Sequence, residues 1–187
     1  MSEDVTQEQT IPDPALASAV LEIESHVAEQ GWDQPARLYA LVETARIVTN
    51  EPELARVMGL DESSAEGSLT PVEQEPTGPE RPLEQLLEEI AWPETVDGAA
   101  VALERLVLPP EVDEQIPEDP VEAGRFAREH PLRQEVRLVA GVTRSGSTYC
   151  ALRMRAHDDA QSVVDGTSLV PGLIELLRST FEDEEIQ

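Results

Sequence analysis

The chain has 187 residues, enough for one domain of ordinary size, and a formal net charge of −26. All thirteen basic residues are arginine, which excludes a Schiff-base lysine, a Walker P-loop and the kinase ion pair, since each needs an ammonium group. One cysteine, Cys150, excludes an internal disulfide framework and suits a reducing compartment, and so acidic a chain repels nucleic-acid phosphates and anionic membrane surfaces.

Residues 1–12 are acidic and polar and read as a disordered tail, without the basic and apolar regions of a secretory signal. Asp13-Pro14 reads as an N-cap followed by proline at the first helical position. Leu16, Val20, Ile23 and Val27 recur at helical spacing and Gly31 closes the segment, so a helix is expected over 14–30. After a turn at Trp32-Asp33-Gln34-Pro35, residues 36–44 read as a buried strand. Asn50 and Glu53 form a capping-box variant for a short helix over 51–58.

Residues 60–80 lack periodicity and read as a flexible acidic linker. Leu83, Leu86, Leu87 and Ile90 predict a helix over 83–90, and 98–108 reads as a strand, although its Ala and Leu also suit a helix. Residues 109–119 form a second acidic, proline-rich loop. Asp119-Pro120 with Glu122 opens a helix over 120–130, which Pro131 ends. Ser168 reads as the cap of a last helix over 169–181, and 183–187 as a frayed acidic tail opposed by the helix dipole. Trp32 and Trp92, sixty positions apart, each follow a helix and precede a turn and a strand. They read as plugs of two similar αβ units.

Residues 135–143 and 149–156 alternate and predict an antiparallel hairpin. A three-residue loop, Ser145 to Ser147, sets Val142 opposite Cys150, Ala140 opposite Leu152 and Leu138 opposite Met154, so that one face is wholly apolar. Cys150 is then buried and inert. The expected fold is a single α+β domain over 13–182. Its four-stranded, largely antiparallel or mixed sheet packs with about five helices, as two αβ units followed by an α-β-hairpin-α unit.

The same register gathers Arg137, Arg153 and Arg155 on the other hairpin face, with Arg137 opposite Arg155. Segment 125–155 holds seven arginines against Glu129 and Glu135, a net of +5, so the other 156 residues carry −31. Guanidinium pairs bidentately with carboxylate or phosphate. Arg137, Arg153 and Arg155, with Tyr149 beside them, are therefore the candidate site for an anion or an acidic partner segment. The competing reading is that the chain's own acids, from the 60–80 or 109–119 loops, cover the patch. His26, His130 and His157 lie far apart in the sequence, without metal-ligand spacing. No cofactor, metal or catalytic residue is assigned.

The segments GWDQPARLYALV, WPETVDGAAVALERLVLPPE, HPLRQEVRLVAGVTRSGSTYCALRMR and SLVPGLIELLRSTF resemble, in that order, a family of conserved actinobacterial proteins of unassigned function. The resemblance covers most of residues 15–181, implies an actinobacterial cytoplasmic protein and brings no catalytic residues. The functional expectation is a non-enzymatic binding or adaptor protein working through the arginine-bearing hairpin face. Two alternatives stand beside it. One is an enzyme using arginine, histidine and carboxylates near the hairpin. The other is an acidic nucleic-acid mimic that occupies basic proteins.

Overall fold

The computed structural model describes residues 13–65, 67–74, 83–167 and 169–181. The expected tails at 1–12 and 183–187, part of the 60–80 segment and Ser168 lie outside these residues. Six strands form one sheet: β1 (Arg37–Glu43), β2 (Leu69–Gln74), β3 (Gly98–Val107), β4 (Gln134–Thr143), β5 (Thr148–Met154) and β6 (Val164–Gly166). Their spatial order is β2-β1-β3-β4-β5-β6, and every neighbouring pair is antiparallel. Seven helices accompany them among the described residues: α1 (Pro14–Ala28), α2 (Thr44–Asn50), α3 (Pro52–Val57), α4 (Glu62–Ala65), α5 (Leu83–Glu89), α6 (Pro120–Glu129) and α7 (Pro171–Ser179).

The expectation of four strands and five helices is therefore corrected. β2 arises inside the segment read as a linker. Its Pro71 sits opposite Leu41 on an edge strand, where a missing N–H is tolerated. β6 is three residues long, too short for alternation to register. α2 starts at Thr44, directly after β1, although its Thr, Ile and Val residues disfavour helix. Burial of Thr44 and Ile47 outweighs that propensity. The Asn50–Glu53 capping box does not form, since α3 begins at Pro52 after Glu51 with no side-chain cap. α7 begins at Pro171, later than expected and without a side-chain cap. The caps at Asp13 and Asp119 do form: Asp13 accepts from the Ala15 amide at 3.0 Å and Asp119 from the Glu122 amide at 3.1 Å.

Residues 98–107 are the central strand β3, and helices cover both faces of the sheet. One face presents Leu38, Val101, Leu138, Ala140 and Cys150 to α5 and α7. The other presents Tyr39, Leu41, Ala100, Val139 and Ala151 to Leu16, Val20, Ile23 and Val27 of α1. Being covered on both sides is why β3 reads as a continuous apolar run. Close approach of α1 depends on Gly141, where a Cβ would lie 2.8 Å from Val20 Cγ2.

The hairpin has a three-residue loop, but it is Arg144–Gly146, one position earlier than expected. Thr143 N–H donates to the Ser147 carbonyl at 3.0 Å, and Gly146 takes φ 100°. Three-residue hairpins place a left-handed residue at the third loop position, and glycine fits there without strain. Gly146 is third only when the loop begins at Arg144. The register therefore slides by two residues: Ala140 faces Cys150, Leu138 faces Leu152, and Arg137 faces Arg153 rather than Arg155. A two-residue slide preserves the faces. Cys150 is fully buried and burial pushes its thiol pKa up, so it is a packing residue.

Candidate functional site

Arg137 on β4 and Arg153 on β5 are directly opposed, and Glu104 on β3 pairs with Arg137 from the other side. The three share the sheet face beneath the C-terminal half of α1. Arg137 is 1% exposed and Arg153 6%. Like charges directly opposed across strands repel, and the chain supplies its own counter-charges. Glu24 of α1, 3% exposed, accepts from Arg153 Nε and, at 3.3 Å, from its Nη2. Asp158 accepts from Arg153 Nη1 at 3.0 Å. The hydrogen bond to Glu24 holds the Arg153 pKa above its ordinary value.

Arg137 is less well served. Its Nη2 donates to the Gly31 carbonyl and lies 3.8 Å from Glu104. Its Nε and Nη1 are buried without a partner among the described residues. Desolvation lowers its pKa from the usual guanidinium value. The Trp32 ring covers it, with the guanidinium carbon 4.4 Å from the ring centroid. Trp32 is itself tied down: its Nε1 donates to Asp158 at 3.0 Å, a bond that holds the Asp158 carboxyl below its usual range. Glu104 is spent on the turn behind it, accepting from the Asp33 and Gln34 amides at 2.8 Å each. Asp33 takes a positive φ of 65° there.

Arg155 is not on the hairpin face. β5 ends at Met154, and Arg155 opens a 3-10 turn, Arg155–His157. It donates to Glu135 at 2.7 Å and to Asp33 at 3.1 Å from a side chain 41% exposed. Among the described residues, the acids that meet Arg137, Arg153 and Arg155 thus come from α1, the α1–β1 turn, β3, β4 and the turn after β5. The missed partner is Glu24. It stands four residues after Val20 on the apolar stripe of α1, and an acid at an inward helix position demands a buried cation.

Tyr149, the fourth candidate, is buried on the α1 side of the sheet. Its hydroxyl donates to Asp165 on the edge strand β6, which pushes its pKa up to about 12. The folded state holds this proton more tightly than the unfolded state, where tyrosine titrates near 10. The contribution is therefore complete below pH ~10 and is lost as pH rises from there through about 12. Urea denaturation between pH 9 and 12 should show stability falling over that window. Tyr149→Phe should flatten the fall.

Trp32 and Trp92 follow α1 and α5, and both are half-buried. Trp92 stacks on Phe181 at 6.1 Å and donates to Thr180 Oγ1 at 2.9 Å. Arg144 covers the same Phe181 ring at 4.9 Å while donating to the Val96 and Pro93 carbonyls at 2.7 and 2.8 Å. No group of three His, Cys, Asp or Glu among the described residues is placed to hold a metal ion. No helix among them is long and apolar enough to cross a membrane. Among the described residues, open clefts of about 580, 590 and 450 Å³ mark the surface, and Arg137, Arg153 and Arg155 line none of these three.

A six-stranded antiparallel sheet covered by helices on both faces, with a buried arginine row neutralised from within, defines a helix-flanked α+β protein. The chain belongs to the PPA1309-like protein family, whose model matches residues 16–182. No curated protein and no solved structure matches it.

Proposed function

We propose that this chain is a non-enzymatic binding or adaptor protein that acts by holding a protein partner. The observation that carries this reading is the division of labour among its polar groups. Arg153, Arg155 and Arg144 are committed to internal carboxylates and carbonyls. The open surface is instead shaped into clefts whose linings mix aliphatic side chains with exposed carboxylates. Concave, partly apolar surfaces with a few placed polar groups are what recognition uses. The arginine-only basic set and the single buried cysteine support an actinobacterial, cytoplasmic setting.

A second reading, an anion held at Arg137, is favoured by the two unpartnered nitrogens of that guanidinium. It requires the Trp32 turn to lift away. One experiment separates the two: native mass spectrometry of the chain purified gently from its own cells. The expected result is a stoichiometric complex with another polypeptide. A retained small anion would favour the second reading. A bare chain of 20.5 kDa would overturn both.

A further inference from the structure

Between α1, the segment after α3 and the edge strand β2 runs a groove of about 450 Å³. Buried Ile23 and Tyr39 form its floor, with Leu60 and Leu69 half-buried at its sides and Met58 40% exposed. The exposed carboxylates of Glu22 and Glu73 stand at its rim. It meets the cleft of about 580 Å³ at Ala15, Ser68 and Leu69, which line both. That second cleft adds Asp13, Glu43 and Asp97, with Arg144 at its far side.

Together the two linings carry five carboxylates against one guanidinium. Nearby cations offset this only in part: Arg37 lies 3.6 Å from Glu73, and Arg46 lies 3.8 Å from Glu43 and 3.3 Å from Asp97. Apolar floor and negative rim together specify the occupant. We propose that this two-part groove docks a basic segment of a partner protein, an arginine- or lysine-bearing stretch with an aliphatic or aromatic anchor. The proposal rests on the protein-binding reading above. Charge argues against other occupants. Residues 1–12 and 182–187 of the chain contain acids and no base, residues 75–82 carry Glu75 and Glu80 against Arg81, and a second copy brings another −26. Long-range attraction would also speed the encounter with a basic partner.

The probe is a fluorescein-labelled synthetic peptide with arginines on one helical face and leucines on the other, followed by fluorescence anisotropy at 0.15 M salt. Glu22→Gln with Glu73→Gln should weaken its binding about tenfold, and Leu69→Ser should do the same without touching charge. Glu114→Gln with Glu118→Gln removes the same charge at exposed positions outside the groove and should change binding less than twofold. An equal loss in both acid pairs would mean diffuse charge attraction and would overturn the groove. So would a wild-type dimer in light scattering that the Glu22 and Glu73 changes dissolve, because the occupant would then be a second copy. The two levels fail separately. If native mass spectrometry retains a partner that the groove variants still hold, only the groove falls. If no polypeptide is retained, the binding reading falls with it.

Discussion

Arg153→Met is expected to destabilise the protein by about 3–5 kcal/mol, the cost of leaving one member of a buried ion pair without its partner. Glu24 stays 3% exposed on α1, and among the described residues no other cation hydrogen-bonds or ion-pairs with it, the Arg137 guanidinium acting on it only through its charge. Its carboxylate must stay buried without a hydrogen-bonded partner or drag α1 off the sheet. Asp158 loses the same guanidinium. Urea denaturation at neutral pH measures the loss, and an unchanged midpoint would refute the buried pairing. Glu24→Met alone should cost a similar amount. The double variant should recover most of it, because a buried pair replaced by aliphatic groups of similar volume is near neutral. Arg155→Gln provides the scale. Its bonds to Asp33 and Glu135 are solvent-exposed, so its urea midpoint should barely move.

Gly98→Ala should have the second large effect, about 3 kcal/mol, at the upper end for overpacking. Gly98 begins β3 opposite Thr143 of β4. A Cβ there would lie 2.4 Å from the Val142 carbonyl oxygen and 3.3 Å from Leu41 Cδ1. The first contact is backbone in a central strand, so the two strands must part or lose a ladder hydrogen bond. Gly172→Ala in α7 is the control. Nothing lies within 4 Å of its added Cβ, and alanine favours helix by up to about 1 kcal/mol. Thermal melts of the pair should move in opposite directions.

What could be read from the sequence is what neighbouring residues decide among themselves. Asp13-Pro14 and Asp119-Pro120 announce their helices because a cap is a contact across three residues. The alternation from Val136 to Val142 and from Cys150 to Met154 announces two strands, because burial of one face imposes it. The register is subtler. Loops starting at Arg144 or Ser145 bury the same face, and only the need for a positive φ at Gly146 separates them. Edge strands escape altogether: β2 keeps Pro71 and Glu73, and β6 keeps Asp165, since an edge tolerates residues a central strand would reject. The arginine cluster was visible as charge segregation in residues 125–155. Its meaning was not, because the residue that answers it, Glu24, stands 129 positions from Arg153.

That separation also sets an order of events during synthesis. The apolar stripe of α1 packs against the sheet face formed by β3, β4 and β5, and the acid that α1 buries awaits an arginine 129 positions downstream. At about 5–20 residues per second, a ribosome needs roughly 6–26 s to deliver that arginine. Throughout this interval the surface that the first helix covers is unfinished, since Tyr39 and Leu41 of β1 are in place before Tyr149 and Ala151 of β5. The segment made first therefore cannot finish its packing until most of the chain has been made.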